Sequence, residues 1–188
     1  MSELTFFASA AEVEIGIRLP WGSTGANAWD KVAATFLDVA LGGRGVWIAT
    51  LTDPSNLDWT ALLEGNTGCA QPVNRKYNGR NARFGYLERF DERVARAIIG
   101  SSDFQWDSVF LLPRDSGELD AVISTLETID VRSETFAGLG EFVYSFGDGI
   151  GVRWIHPSPS RDIERIKSAG IEHGFTLVPI TAADRTRS

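Results

Sequence analysis

Cysteine is nearly absent from this chain of 188 residues: Cys69 is the only one. A single thiol excludes an internal disulfide and any zinc site built from several thiolates. Histidine is also scarce, with only His156 and His173, and neither belongs to a ligand-spaced pair. No metal ligand set and no cofactor are therefore expected. Long apolar runs are missing too. Nowhere do about 18 apolar residues follow one another, so no membrane span is expected. The first residues include an apolar patch but no basic region, and Glu12 and Glu14 interrupt it. That is not the pattern of a signal peptide, and the cytoplasm is the expected location.

Catalytic motifs are equally sparse. No G-x-S-x-G, H-E-x-x-H or usable G-x-G-x-x-G occurs. Residues 138–142 lead into a predicted strand rather than out of one, the wrong order for a dinucleotide turn. Cys69 precedes Arg75 and Lys76, which can favour a thiolate, but a nucleophile also needs a base. No catalytic residue is assigned, and the reading leans away from an enzyme.

What is present describes a folded domain. Hydrophobic residues make up 43% of the chain and charged residues 23%, the balance of a globular protein. The length suits one domain over residues 1–188. Eleven Phe and six Trp supply large rings for a core or an interface. The net charge is −7, which favours basic partners by steering. Charge is uneven, however. Segment 75–96 holds seven basic residues against three acidic ones, a net +4 that leaves −11 elsewhere. That acidic background, with one basic cluster and no recognised motif, counts against nucleic acid as the partner.

Periodicity places the elements. Residues 12–19 alternate, with Val13, Ile15, Ile17 and Leu19 on one side, as a half-buried strand does. Residues 4–10 before them read as a short strand, paired with it or separate. Trp29, Val32, Ala33, Phe36 and Ala40 recur at helical spacing over 27–43, with Asn27 as the expected N-cap and Gly42-Gly43 as the stop. A buried strand follows at 45–52. Asp53-Pro54-Ser55 then opens a short helix that turns Trp59, Leu62 and Leu63 to one side. Residues 65–83 are polar and rich in Gly and Asn, and are expected to form a long loop. Helices follow over 89–100 and 117–129, with a strand at 108–113 between them. Residues 141–156 read as an antiparallel hairpin turning at Asp148-Gly149. Ser160 is expected to cap the last helix, which Gly174 stops. A final strand covers 175–180, with Pro179 marking an edge. The tail, about 182–188, is expected to fray. The sum is an α+β domain: one mixed sheet of about five or six strands with helices packed against it.

Two surfaces are candidates for function. Residues 22–25, Gly-Ser-Thr-Gly, stand between a strand and a helix, where backbone N–H groups and the helix dipole favour an anion. The stretch resembles a flavodoxin-like phosphate loop locally, but Ala26 and Asn27 stand where that loop has a further Thr. In this reading Ser23, Thr24 and Gly25 hold the anion of a phosphorylated or otherwise anionic small molecule, and Arg75, Arg80 or Arg83 closes over it. The bland reading is a capping turn.

The other candidate is a protein-binding surface. Tyr77 lies in an Arg- and Asn-rich stretch, residue types enriched at interfaces. Asp53, Asp58 and Trp59 supply acid and an aromatic anchor. A small, acidic, aromatic-rich α+β chain without a catalytic motif is similar in type to bacterial immunity proteins, which neutralise a cognate toxin by occluding its active site. No family motif carries that likeness. It implies a protein partner with a basic surface, and this is the leading expectation for function.

Overall fold

The computed structural model describes residues 2–8, 14–19, 26–51, 57–64, 70–77, 80–101, 104, 109–114, 118–128, 140–146, 150–158 and 161–179. Nine strands form one sheet: β1 (Ser2–Ala8), β2 (Glu14–Leu19), β3 (Val46–Thr50), β4 (Ala70–Tyr77), β5 (Arg80–Leu87), β6 (Val109–Pro113), β7 (Phe142–Phe146), β8 (Ile150–Ile155) and β9 (Phe175–Pro179). The helices are α1 (Ala26–Leu41), α2 (Trp59–Leu63), α3 (Glu92–Ile99), α4 (Leu119–Thr128) and α5 (Ile163–Glu172).

The strand order is β4-β5-β3-β6-β7-β8-β2-β1-β9. Every neighbouring pair is antiparallel except β1 with β9. The α+β class and the mixed sheet are as expected, and so are the β7–β8 hairpin and the edge position of β9. The strand count is not. Nine replace the expected five or six, chiefly because β4 and the first half of β5 occupy residues read as a loop; the short strand expected before β2 is present as β1 and pairs with it. The strand–helix alternation of the first half also builds no crossover between neighbours: β6, β7 and β8 lie between β2 and β3.

Alternation along each strand assigns the two faces. Ile15, Ile17 and Leu19 of β2, Val46 and Ile48 of β3, and Val109 and Leu111 of β6 belong to the larger core cluster. Helices α1, α2, α3 and α5 complete it, with Trp29, Val32, Phe36, Trp59, Val94, Ile98 and Ile166 buried. Helix α1 packs against both α3 and α5, so its apolar stripe faces sheet and helices at once. The opposite face is aromatic in its centre: Phe84, Phe110, Phe142 and Tyr144 gather there with Val122 and Leu126 of α4. The rings of Phe110 and Tyr144 stack at 5.7 Å across the β6–β7 pair.

Caps explain most helix limits. Asp91 is the N-cap of α3 and accepts a hydrogen bond from the Val94 N–H at 2.9 Å. Asp91→Ala is expected to cost about 1 kcal/mol, seen as a fall in Tm of roughly 2–4 °C for a chain of this size. Two expected caps are corrected. Asn27 lies inside α1, which starts at Ala26. The cap of α5 is Asp162, which accepts from the Arg165 N–H at 3.2 Å, not Ser160. A carboxylate two residues nearer the apolar stripe takes the role a serine was assigned. The glycine stops are as expected, with Gly43 at φ 77° and Gly174 at φ 79°. The turn at Asp148-Gly149 and the tail 182–188 lie outside the described residues.

Candidate functional site

The polar stretch assigned to a loop is an edge hairpin. Asn74 pairs with Arg83, Arg75 with Ala82, Lys76 with Asn81, and Tyr77 with Arg80. Residues 70–77 and 80–83 are therefore strand, a correction to the loop expected over 65–83. The reason is position in the sheet. Only β4 is outermost, and its Asn74, Arg75 and Lys76 meet water; β5 behind it turns Ala82 and Phe84, with the partly buried Val73 of β4, to the aromatic face and buries Leu87 on the other. The signal was in the sequence. Asn78-Gly79 is a short-range hairpin mark, followed by alternation at Ala82, Phe84 and Tyr86, and two residues are what the Tyr77–Arg80 pair leaves for the connection.

This hairpin and α2 bring several candidate residues to one end of the sheet. Asn74, Arg75, Lys76 and Asn81 are exposed. The Lys76 ammonium donates to Asn81 Oδ1 at 2.6 Å. Asp58 is exposed but already used: it is the N-cap of α2 and accepts from the Ala61 N–H at 3.0 Å. Trp59 is not a surface anchor. It is 6% exposed and packs on β5, where Gly85 has no side chain to obstruct its ring. The Arg83 guanidinium lies 5.6 Å from the Trp59 ring centroid, a cation–π distance. Arg93 of α3 donates to the carbonyls of Ala61 and Leu62 and ties down the end of α2.

Arg75 and Arg83 do not converge. Arg75 lies opposite Ala82, whose side chain joins the aromatic face, whereas Arg83 follows Ala82 and turns to the Trp59 side. One small anion between these two arginines is not what the hairpin presents. Arg80 begins β5, and its side chain lies outside the described residues, as does that of Tyr77. Ser23, Thr24, Gly25, Asp53 and Cys69 lie outside them altogether.

A second polar surface was not foreseen. On the face opposite α1, the β8–β2 pair carries Gly151, Arg153 and Ile155 against Arg18, Gly16 and Glu14. Arg153 pairs with Glu14 at 3.4 Å, and both are largely buried, at 18% and 11% exposure. Tyr144 of β7 lies opposite Arg153. Sequence alternation shows the apolar side of β2 clearly. It does not say that the intervening Glu14, Gly16 and Arg18 are shielded as well.

Helix α4 supplies a third surface. Val122 and Leu126 point into the aromatic face, while Glu118, Asp120, Ala121, Ser124, Glu127 and Thr128 are exposed. Residues 118–128 contain three acids and no Lys or Arg. On α1, burial raises the Asp30 carboxyl above its ordinary range. His173 is the C-cap of α5. His156 has φ 49° immediately before Pro157 and holds a buried Nε2 with no hydrogen-bond partner among the described residues. Among the described residues no group of three His, Cys, Asp or Glu side chains gathers in a metal-binding arrangement. Nor is any described helix long and apolar enough to cross a membrane.

Comparisons with family models, with curated proteins and with solved structures found no match.

Proposed function

We propose that the chain is a non-enzymatic protein-binding module of the bacterial immunity type. It works in the cytoplasm and neutralises a cognate toxin by occluding a basic active-site cleft. The observation that carries this reading is the solvent face of α4. Asp120 and Glu127, seven residues apart, share the exposed side of a helix whose other side is anchored by Val122 and Leu126; Glu118, also exposed, immediately precedes the helix, and no cation interrupts the three acids over 118–128. A rigid helix is a suitable carrier for such a face, because little side-chain and backbone order is lost on docking. Acid on that helix complements a cleft built to bind an anionic substrate. The net charge of −7 speeds the encounter over longer range.

The test uses the tagged chain as bait in its own cell lysate at low and high salt. A single stoichiometric protein is expected at low salt and is lost at high salt. Its isolated activity should be inhibited by one equivalent of this chain. Changing Glu118, Asp120 and Glu127 together to lysine is expected to weaken that inhibition roughly 100-fold or more, since like charges then face each other. Inhibition unchanged in the triple variant removes α4 from the interface. A captured protein whose activity is untouched removes the neutralising role.

A further inference from the structure

We propose that Arg18, with Arg153 beside it, forms an oxyanion site on the β8–β2 part of the sheet, separate from the α4 surface and independent of the toxin-binding reading. The argument starts from strand register. Arg18 lies opposite Gly151, and Arg153 lies opposite Gly16. The two arginines therefore occupy one diagonal of a four-residue square and the two glycines the other. Each guanidinium-bearing chain stands across from a position without a side chain. Both glycines are buried, and with no side chain of their own they leave the space across the strand pair to the two arginines. On its other edge Arg18 faces Thr5 of β1, which is itself buried.

The charges on this patch do not balance. Glu14 is engaged by Arg153. Glu3, two positions from Thr5 on β1, is exposed and makes no ion pair with Arg18 within 4.0 Å. Arg18 is half-buried, its Nε is shielded from solvent, and that atom has no hydrogen-bond partner among the described residues. An arginine cannot relieve this by losing its proton. A partly buried guanidinium without a carboxylate is costly, and a fold keeps such a group most readily where a ligand completes it. The planar fork selects a two-oxygen acceptor, meaning the carboxylate or phosphate group of a small acid.

The experiment is an NMR titration of the full chain, following the arginine Nε–Hε signals. The Arg18 signal is assigned by its loss in Arg18→Lys. Inorganic phosphate is added in one arm, acetate in a second, and chloride of equal ionic strength in the control. The expected result is a saturable displacement of the Arg18 signal by phosphate, acetate or both, and none by chloride. Phosphate alone points to a phosphorylated ligand, and acetate in either pattern to a carboxylic acid. Arg18→Met keeps most of the apolar stem. It is expected to weaken the binding about tenfold or more, followed through the Arg153 signal and through the ligand-induced rise in Tm. That rise is roughly 5–10 °C for wild type at about 100 times Kd. No saturable displacement in either arm overturns the proposal, as does equal binding by Arg18→Met.

Discussion

Trp154→Ala is expected to lower the free energy of unfolding by about 3–5 kcal/mol, the range for removing a large buried aromatic ring. Trp154 is 0% exposed and sits at a junction. Its ring meets Phe36 of α1 edge-on, with centroids 6.4 Å apart and planes at 75°. Its indole N–H donates to Glu141 Oε1 at 2.9 Å. Glu141 also accepts from Arg44 through both carboxylate oxygens at 2.8 Å. One side chain thus joins β8, the residue before β7, α1 and the turn after α1. Trp154→Phe separates the contributions. It keeps one aromatic ring but removes the hydrogen bond and the rest of the indole, so a smaller loss of about 1–3 kcal/mol is expected. Urea denaturation measures both. A loss below about 1 kcal/mol for Trp154→Ala would show that this junction is not packed as described.

Gly85→Ala is expected to cost about 1–3 kcal/mol, although alanine is the smallest possible addition. A Cβ at Gly85 would stand 2.2 Å from Cζ3 of Trp59 and 3.0 Å from Cε3. Neither side yields easily. Gly85 is held by its pairing with Ile48 of β3, and Trp59 is buried beneath Arg83. Strain of this kind should be relieved by shrinking the partner. Trp59→Leu alone loses packing, but in the Gly85→Ala background it is expected to cost much less. The double-mutant cycle should therefore show a coupling of 1 kcal/mol or more, in the range of about 0.5–3 kcal/mol found for contacting residues. Strict additivity would mean that ring and strand do not meet.

The same contact shows why part of the site was illegible. The sequence sets Trp59 on one side with Leu62 and Leu63, yet beside Asp58 it also reads as an anchor for a partner. Its burial depends on Gly85, 26 positions away in the chain, and no local pattern announces that pairing. Glu14, Gly16 and Arg18 are a similar case. Alternation marks them as the side of β2 away from the apolar row, and solvent is the default for that side. Their shielding follows from the neighbours β8 and β1, which only register supplies. The β4–β5 hairpin is different. Asn78-Gly79 is a local mark in the sequence, within a stretch whose many Arg and Asn residues read as a loop.

By itself, the sequence determined the local elements that carry strong periodicity. Helix α1, strands β2, β3 and β6, the β7–β8 hairpin and the glycine stops at Gly43 and Gly174 all follow from residues within one or two turns of each other. The α+β class follows from their sum. Only the tertiary structure decided that nine strands join in one sheet, that β1 lies parallel to β9, and that Arg75 and Arg83 diverge while Arg18 and Arg153 share a diagonal. The physical reason is that periodicity encodes which side of an element is apolar, a property of neighbours in the chain. Which element covers that side, and which charges are shielded together, depends on contacts between distant segments.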